Sequence, residues 1–382
     1  MTTTPPNNWL LVDKLHQVAR HLKRTFVGKD DIIDLMSICL VGRENLFLLG
    51  PPGTAKSALV RALARQLQGN TFEYLLTRFT EPNELFGPFD IRKLREGDLV
   101  TNTEGMLPEA NFIFLDELLN ANSAILNSLL MVLNEKVFRR GRETRPLPAL
   151  MIVGASNHLP EDEALQALFD RFLVRAHCDY VAPDQLTQVL EAGWTLERPS
   201  PTDQPEITAD EVFQLQAALA TVDLQTVRPA YATLIGKLRQ AGVPVSDRRA
   251  VKLQRLLAAS ALLCKRTEAI ASDMWVLRYI WDTDEQREVL AGIVNSVVEA
   301  DEHPHQHPRA SLSAAPNADD ILREVTTLTE QWHHPDTSLA DRATIKDQLR
   351  YLQGRCQWIS NAVQREYVQQ PLDSLWQQVL QA

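Results

Sequence analysis

The sequence predicts an α/β fold, a parallel sheet between helices, followed by an all-α domain and a helical C-terminal segment. Three observations predict it. Between residues 45 and 181, short apolar runs alternate with amphipathic stretches, the pattern of parallel strands joined by crossover helices. Residues 207–300 read as helical throughout. Beyond a Pro-rich polar stretch, Ile321, Val325, Leu328 and Trp332 keep helical spacing, as do Ile345, Leu349, Leu352 and Ile359.

Taken in order, residues 9–40 look helical, with Leu11, Leu15, Val18 and Leu22 on one face. Residues 1–181 are this helix plus the α/β core. Residues 182–206 begin helix-like (Leu186, Val189, Leu190) and end in a Pro- and Thr-rich run, which reads as a hinge or linker. The helical domain is 207–300, a second linker is 301–317, and the helical tail is 318–382. A chain of 382 residues exceeds what one core organises, so several domains are expected.

Composition narrows the function. With 45% hydrophobic and 23% charged residues the chain is an ordinary globular protein. No apolar run approaches the roughly 20 residues that span a bilayer, and no secretory signal precedes the first helix, so a cytoplasmic protein without a membrane span is expected. Cys39, Cys178, Cys264 and Cys356 are far apart, which fits neither a disulfide framework nor a zinc site. The net charge of −10 makes nucleic acid an unfavoured partner.

Three motifs carry chemistry. Gly50-Pro-Pro-Gly-Thr-Ala-Lys-Ser57 matches the P-loop pattern completely, with a buried strand before it and a helix from Ala58 after it. Glycines let backbone N–H groups turn onto phosphates, and the helix N-terminus adds its positive end. The nucleotide-binding set is therefore Gly50, Pro51, Pro52, Gly53, Thr54, Ala55, Lys56, Ser57 and Ala58. Lys56 supplies charge to the β- and γ-phosphates, and the Ser57 hydroxyl is a Mg²⁺ ligand. Residues 112–117 (Phe-Ile-Phe-Leu-Asp-Glu) form a buried strand whose carboxyl end carries two acids. Ligands of parallel sheets lie at the carboxyl ends of the strands. Asp116 is thus placed to hold Mg²⁺ through water and Glu117 to activate the attacking water as general base. Residues 149–157 are a further strand ending in Asn157, which could bond the γ-phosphate or the lytic water.

The order and spacing of these motifs resemble AAA+ ATPases, and within them the MoxR group, including its RavA branch. The matching stretches also include Phe26-Val-Gly-Lys-Asp-Asp-Ile-Ile33, Glu84-Leu-Phe-Gly-Pro88, Glu104-Gly-Met-Leu-Pro-Glu-Ala110, Leu115-Asp-Glu-Leu118, Ala167-Leu-Phe-Asp-Arg-Phe-Leu173 and Pro244-Val-Ser-Asp-Arg-Arg249. The resemblance covers roughly residues 10–295. It implies a P-loop AAA+ core and a helical lid, with ATP as the nucleotide. Val27 and Gly28 look like the segment flanking adenine. Arg171 looks like the arginine finger that reaches a neighbour's ATP, and a planar, always charged guanidinium suits that role. Arg248 looks like the sensor-2 arginine, with Arg249 one register away, brought onto the γ-phosphate by hinge closure. The resemblance further implies a homo-oligomeric ring, a hexamer, acting on a protein client with a von Willebrand factor A domain. The alternatives are a nucleic-acid translocating motor and a non-catalytic nucleotide-dependent scaffold.

Two insertions read as hairpins that face a ring's axis in related ATPases. One pairs 89–92 with 98–101 around the turn-prone residues 95–97. The other lies between Val137 and Leu147. The second carries an arginine-rich run from Lys136 to Arg145 that could face an acidic partner, nucleic acid or solvent. His303, His305 and His307 alternate in a Pro-rich stretch, a pattern for weak transition-metal binding, though a linker explains it more simply. Trp332, Trp358 and Trp376 read as core of the tail.

Overall fold

A computed structural model describes residues 6–95, 99–140, 143–160, 162–196, 206–299, 301, 306–311, 318–333 and 362–381, with scattered positions between 342 and 356. In chain order the elements are α1 (Pro6–Thr25), α2 (Asp30–Gly42), β1 (Leu46–Leu49), α3 (Lys56–Gln66), β2 (Leu67–Gln68), β3 (Thr71–Leu75), α4 (Pro82–Phe86), α5 (Ile91–Arg95), β4 (Phe112–Asp116), α6 (Ser123–Glu135), β5 (Val137–Arg140), β6 (Glu143–Pro146), β7 (Met151–Ser156), α7 (Glu163–Phe169) and β8 (Val174–His177). Then follow α8 (Leu186–Leu196), β9 (Ile207–Thr208), α9 (Ala209–Ala218), α10 (Arg228–Gln240), α11 (Asp247–Leu263), a 3₁₀ segment (Ala271–Tyr279), α12 (Asp284–Val298), α13 (Pro308–Ser311), α14 (Ala318–His333) and a final helix, Ala362–Gln381.

Five parallel strands form the sheet, in the order β3-β4-β7-β1-β8. Every residue of β1 and β7 is buried, as continuous apolar runs covered on both faces require. The acidic strand β4 does not touch the P-loop strand β1, because β7 lies between them. The register pairs Leu49 with Ser156 and His177, and Leu75 with Asp116, so the functional strand ends share one edge.

The helical layer after β9 is clamped to this sheet. Helix α11 packs along α2, close enough that a Cβ at Gly42 would lie 3.0 Å from Leu256 Cδ2. The side chain of Gln216 on α9 donates to Leu40 O (2.7 Å) and Leu150 O (3.3 Å). A buried ion network joins the two layers. Arg175 of β8 donates to Asp282 Oδ1 at 2.5 Å, and Arg249 of α11 reaches Asp282 Oδ2 at 3.2 Å. Burial pulls the Arg175 guanidinium down to about 9, and the nearby Arg249 charge pulls the same way.

The two insertions differ from each other. Val137 pairs with Pro146 and Arg140 with Glu143, the expected hairpin, although Gly141 and Arg142 at its turn lie outside the described residues. Between 89 and 101, by contrast, one antiparallel bridge joins Phe89 to Thr101, and the first expected strand is cut short by the helix Ile91–Arg95. Asp90 explains this: its carboxylate accepts from Arg92 N (2.9 Å) and Lys93 N (3.3 Å), capping a helical turn. Residues 96–98 are outside the description. Among the described cations of the arginine-rich run, Arg139 is exposed while Lys136, Arg140 and Arg145 turn inward. Lys136 Nζ donates to Arg43 O (3.1 Å) and Leu150 O (3.2 Å). Arg140 donates to Gly87 O (2.7 Å) and Asn83 Oδ1 (2.6 Å), with its guanidinium 4.1 Å from the Phe89 ring centre, and Arg145 bonds Thr103. Arg140 and Arg145 pin one insertion to the other.

The segment expected to be helical throughout opens instead with a two-residue strand, β9, parallel to β2. The tail has its own core of Ile321, Val325, Leu349, Val368 and Leu372, with Trp332 buried and Trp376 half-buried against it. Trp358, His303 and His305 lie outside the described residues, and among those described no cluster of metal-ligating side chains occurs. His307 is buried and stacks on Trp275, with ring centres 4.6 Å apart. Among the described residues no helix is long and apolar enough to cross a membrane.

Candidate nucleotide site

The P-loop crosses from β1 to α3 at the carboxyl edge of the sheet. Its path needs backbone that side chains resist: Gly53 has φ +80° with open space around it, and Ala55 adopts φ +66° without being glycine. Gly50 is required for another reason. A Cβ there would stand 2.3 Å from Cys178 O, so the loop passes flush against the end of β8. The N-terminus of α3 has no side-chain cap and no acid in its first turn, leaving its N–H groups for an anion. Lys56 is buried and donates to Gly50 O (2.6 Å) and Pro51 O (2.9 Å), while Thr54 Oγ1 bonds Pro51 O (2.9 Å).

Strand β4 delivers the acids. Ser57 Oγ donates to Asp116 Oδ2 at 2.7 Å, joining the two oxygen donors that the motifs assign to Mg²⁺. A hydroxyl beside a carboxylate is the hard-oxygen set that this ion takes, so the residues present fit it. Glu117 turns sharply out of the strand at φ +49° and accepts a long bond from Asn120 Nδ2 (3.4 Å). Burial, then the Asp116 charge, hold its carboxyl above the usual range, while Lys56 and His158 oppose them. Asn157 is exposed one residue beyond β7. Gly50 N donates to Ser156 O (3.1 Å), so Asn157 stands next to the start of the P-loop.

Gly28, with Val27 just before it in the chain, also reaches this edge. Gly28 has φ +70°, and a Cβ there would meet Gln185 Oε1 at 3.0 Å and Val181 Cγ1 at 3.1 Å. From the same segment, Tyr180 OH donates to Pro52 O (3.2 Å) and Lys29 Nζ to Asp179 O. Tyr180, Lys29 and His158 were not among the sequence candidates. Only proximity in the fold selects them; Lys29 alone sits inside a motif.

The two candidate arginines are elsewhere. Asn45 precedes β1 at the amino edge of the sheet, and its Nδ2 donates to Arg171 O (3.1 Å) and Leu133 O (3.3 Å). Arg171 Nη1 pairs with Asp170 Oδ2 at 2.6 Å. Beside Leu133, Asn134 accepts from Arg248 Nη2 (3.4 Å). The strand β1 separates Asn45 from Gly50 by five residue steps, roughly 17 Å at the usual rise. The structure therefore does not bring Arg171 or Arg248 to the P-loop of its own chain. Arg249 is committed to the Asp282 network, with further bonds to Pro244 O (3.4 Å) and Ile280 O. The hinge motion expected to carry Arg248 onto its own γ-phosphate starts from the wrong edge of the sheet, with α11 already clamped to β8.

Comparisons with known proteins bear on the family and the fold. Residues 13–217 match the family model described as the MoxR domain in the MoxR-vWA-beta-propeller ternary systems, and residues 223–294 match an AAA lid domain. An uncharacterized protein of Methanocaldococcus jannaschii is 35% identical over 275 residues, covering 71% of each chain. Chaperone MoxR1 of Mycobacterium tuberculosis is 28% identical over 183 residues, 47% of this chain and 48% of the relative. A crystal structure of a candidate ATPase from Cytophaga hutchinsonii superposes with a TM-score of 0.64 at 20% identity, covering 76% of this chain and 96% of its own, which shows the shared fold. A complete P-loop, an acidic strand one place removed from it, a helical lid and a family match over more than half the chain make this protein a member of the MoxR family of AAA+ ATPases.

Proposed function

We propose that this chain hydrolyses ATP at sites shared between the subunits of a homo-oligomeric ring, a hexamer, and uses the turnover to remodel a protein client in the cytoplasm. The observation that carries this reading is the placement of Arg171 and Arg248 at the sheet edge opposite Lys56, Asp116 and Glu117. A guanidinium that cannot reach its own nucleotide serves one bound by the next copy in a head-to-tail ring.

Within one subunit, the α3 N-terminus, Gly53 and Lys56 receive the phosphates, with Val27, Gly28 and Tyr180 beside the base. Ser57 and Asp116 would hold Mg²⁺, which when bound neutralises charge building on the β- and γ-oxygens. Glu117 orients the attacking water and takes its proton, and Asn157 positions the same water or the γ-phosphate. Arg171 from the neighbour stabilises the charge of the transferring group, a contribution of about 10³–10⁵ in turnover for such fingers. Arg248, on the same face, reads that neighbour's γ-phosphate. The client is proposed to carry a von Willebrand factor A domain, the partner class that the matched family description names.

ATP turnover per chain is measured against protein concentration, for wild type, Glu117→Gln and Arg171→Ala. The proposal expects specific activity to rise with concentration and both variants to lose at least about 10² of it. Wild-type turnover that is independent of concentration, with Arg171→Ala unimpaired, would refute a shared site.

A further inference from the structure

Helix α8 is amphipathic with its strongest apolar face turned outward. Val189 and Ala192 are half-buried against the body of the protein. Leu186, Leu190 and Trp194, spaced i, i+4 and i+8 and so stacked on one face, are 51%, 66% and 66% exposed. Three large apolar side chains in a row are a patch, unlike a scattered exposed leucine.

The location of the stripe matters. Helix α8 starts one residue after Gln185, which packs on Gly28 at the mouth of the nucleotide site. At the other edge of the sheet a second, smaller apolar exposure flanks the candidate arginines. Val251 is 65% exposed one turn along α11 from Arg248, and Met131 is exposed one turn along α6 from Asn134, to which Arg248 is bonded. The charges differ as well. The nucleotide mouth carries Asp116, Glu117 and Asp179 around the buried Lys56, whereas the opposite edge presents Arg248 and Lys252 on one helix, with Arg255 paired to Glu44 and Asp247 exposed beside Arg248.

We propose that the α8 stripe is the docking ridge for a second copy of this chain, seating that copy's Val251–Met131 face so that its Arg171 and Arg248 enter the nucleotide mouth. The inference rests on the shared-site reading and adds the surface that aligns the copies. Two unlike apolar patches at opposite edges make a head-to-tail contact, the kind that closes into rings. Complementary charge beside each patch sets the direction. The apolar contact excludes water from the phosphates between the copies, where a guanidinium then acts at its full strength.

The test uses the full chain with ATP and Mg²⁺. Self-association is followed by sedimentation velocity for wild type, Leu190→Glu combined with Trp194→Glu, and Gln188→Glu as a control exposed off the stripe. The stripe variant is expected to need about tenfold or more protein to assemble, since burying one such side chain is worth that much in affinity. Its circular dichroism and its binding of a non-hydrolysable ATP analogue stay as in wild type, and Gln188→Glu assembles normally. A second arm mixes a Trp194→Cys protein with a Val251→Cys protein under mild oxidation. The expected product is a disulfide-linked pair formed in the mixture only. Wild-type assembly of the stripe variant, with Arg171→Ala still inactive, would overturn the docking ridge and leave the shared site standing, the stripe then serving a client. Crosslinking of Trp194→Cys with itself would overturn the head-to-tail contact. A wild type that stays monomeric and fully active would overturn both.

Discussion

Removing the Asp282 carboxylate is the sharpest perturbation of how the helical layer is held. Asp282 is the acid bonded to both guanidiniums, Arg175 with no exposed side-chain surface and Arg249 at 5%. Both cations come from elements that frame function: Arg175 from β8, one residue from its start, and Arg249 from the residue after Arg248. Deleting one partner of a buried pair typically costs about 3–5 kcal/mol, because the remaining charge is left in low dielectric. Here two charges lose the acid they are bonded to, so Asp282→Ala is expected at the upper end, about 4–5 kcal/mol. At about 2–4 °C per kcal/mol for a domain of this size, the melting temperature falls by about 8–20 °C. The assay is differential scanning fluorimetry with a urea titration beside it. ATP turnover at saturating protein is expected to fall too, because α11 loses the anchor that sets where Arg248 stands. A loss under about 1 kcal/mol would refute the view that this network clamps helices to sheet.

Three further outcomes follow from single residues. Burial lowers the His307 imidazole from 6.5 to about 4, so the folded chain binds its proton less readily than the unfolded chain. The stability this confers is complete above pH 6.5 and is lost as pH falls towards 4, a change of about 3 kcal/mol, and His307→Phe should flatten that slope in melting curves taken across the window. Gly50→Ala would set a methyl 2.3 Å from Cys178 O, so nucleotide binding measured by calorimetry should vanish even in folded protein; unchanged affinity would contradict the loop's close passage. Asn45→Ala removes the bonds that fix Arg171 O and Leu133 O, and turnover should drop several-fold through a displaced finger while analogue affinity holds.

The parts of the site made by contiguous residues were legible in the sequence. A P-loop needs its glycines, lysine and hydroxyl at fixed spacing, and β4 carries its acids at the strand end because the parallel sheet opens there. The α/β class was equally legible, since continuous apolar runs such as those of β1 and β7 require cover on both faces. What could not be read was long-range. Asn45 looks like a polar residue before a strand, and only the fold shows it bonding a carbonyl 126 residues away. Arg248 and Arg249 are adjacent in sequence, yet helical geometry turns one inward to Asp282 and leaves the other on the surface. The strand expected at residues 89–92 gave way to a helix because Asp90 caps the next turn, a local competition that apolar spacing does not register. The helix-like start of the 182–206 hinge gives no sign of the exposed α8 stripe, because a periodic pattern gives the spacing of a face and not which way it points.

The central claim is that one copy's nucleotide is completed by the arginines of the next. It is tested most directly by mixing two inactive variants, Lys56→Ala, which keeps its finger but not its site, and Arg171→Ala, which keeps its site but not its finger. In a randomly mixed head-to-tail ring about a quarter of the interfaces pair an intact P-loop with an intact finger. The account predicts that ATP turnover, absent from each variant alone, returns to about that fraction of wild type on mixing. A mixture that assembles yet stays as inactive as its components would contradict it.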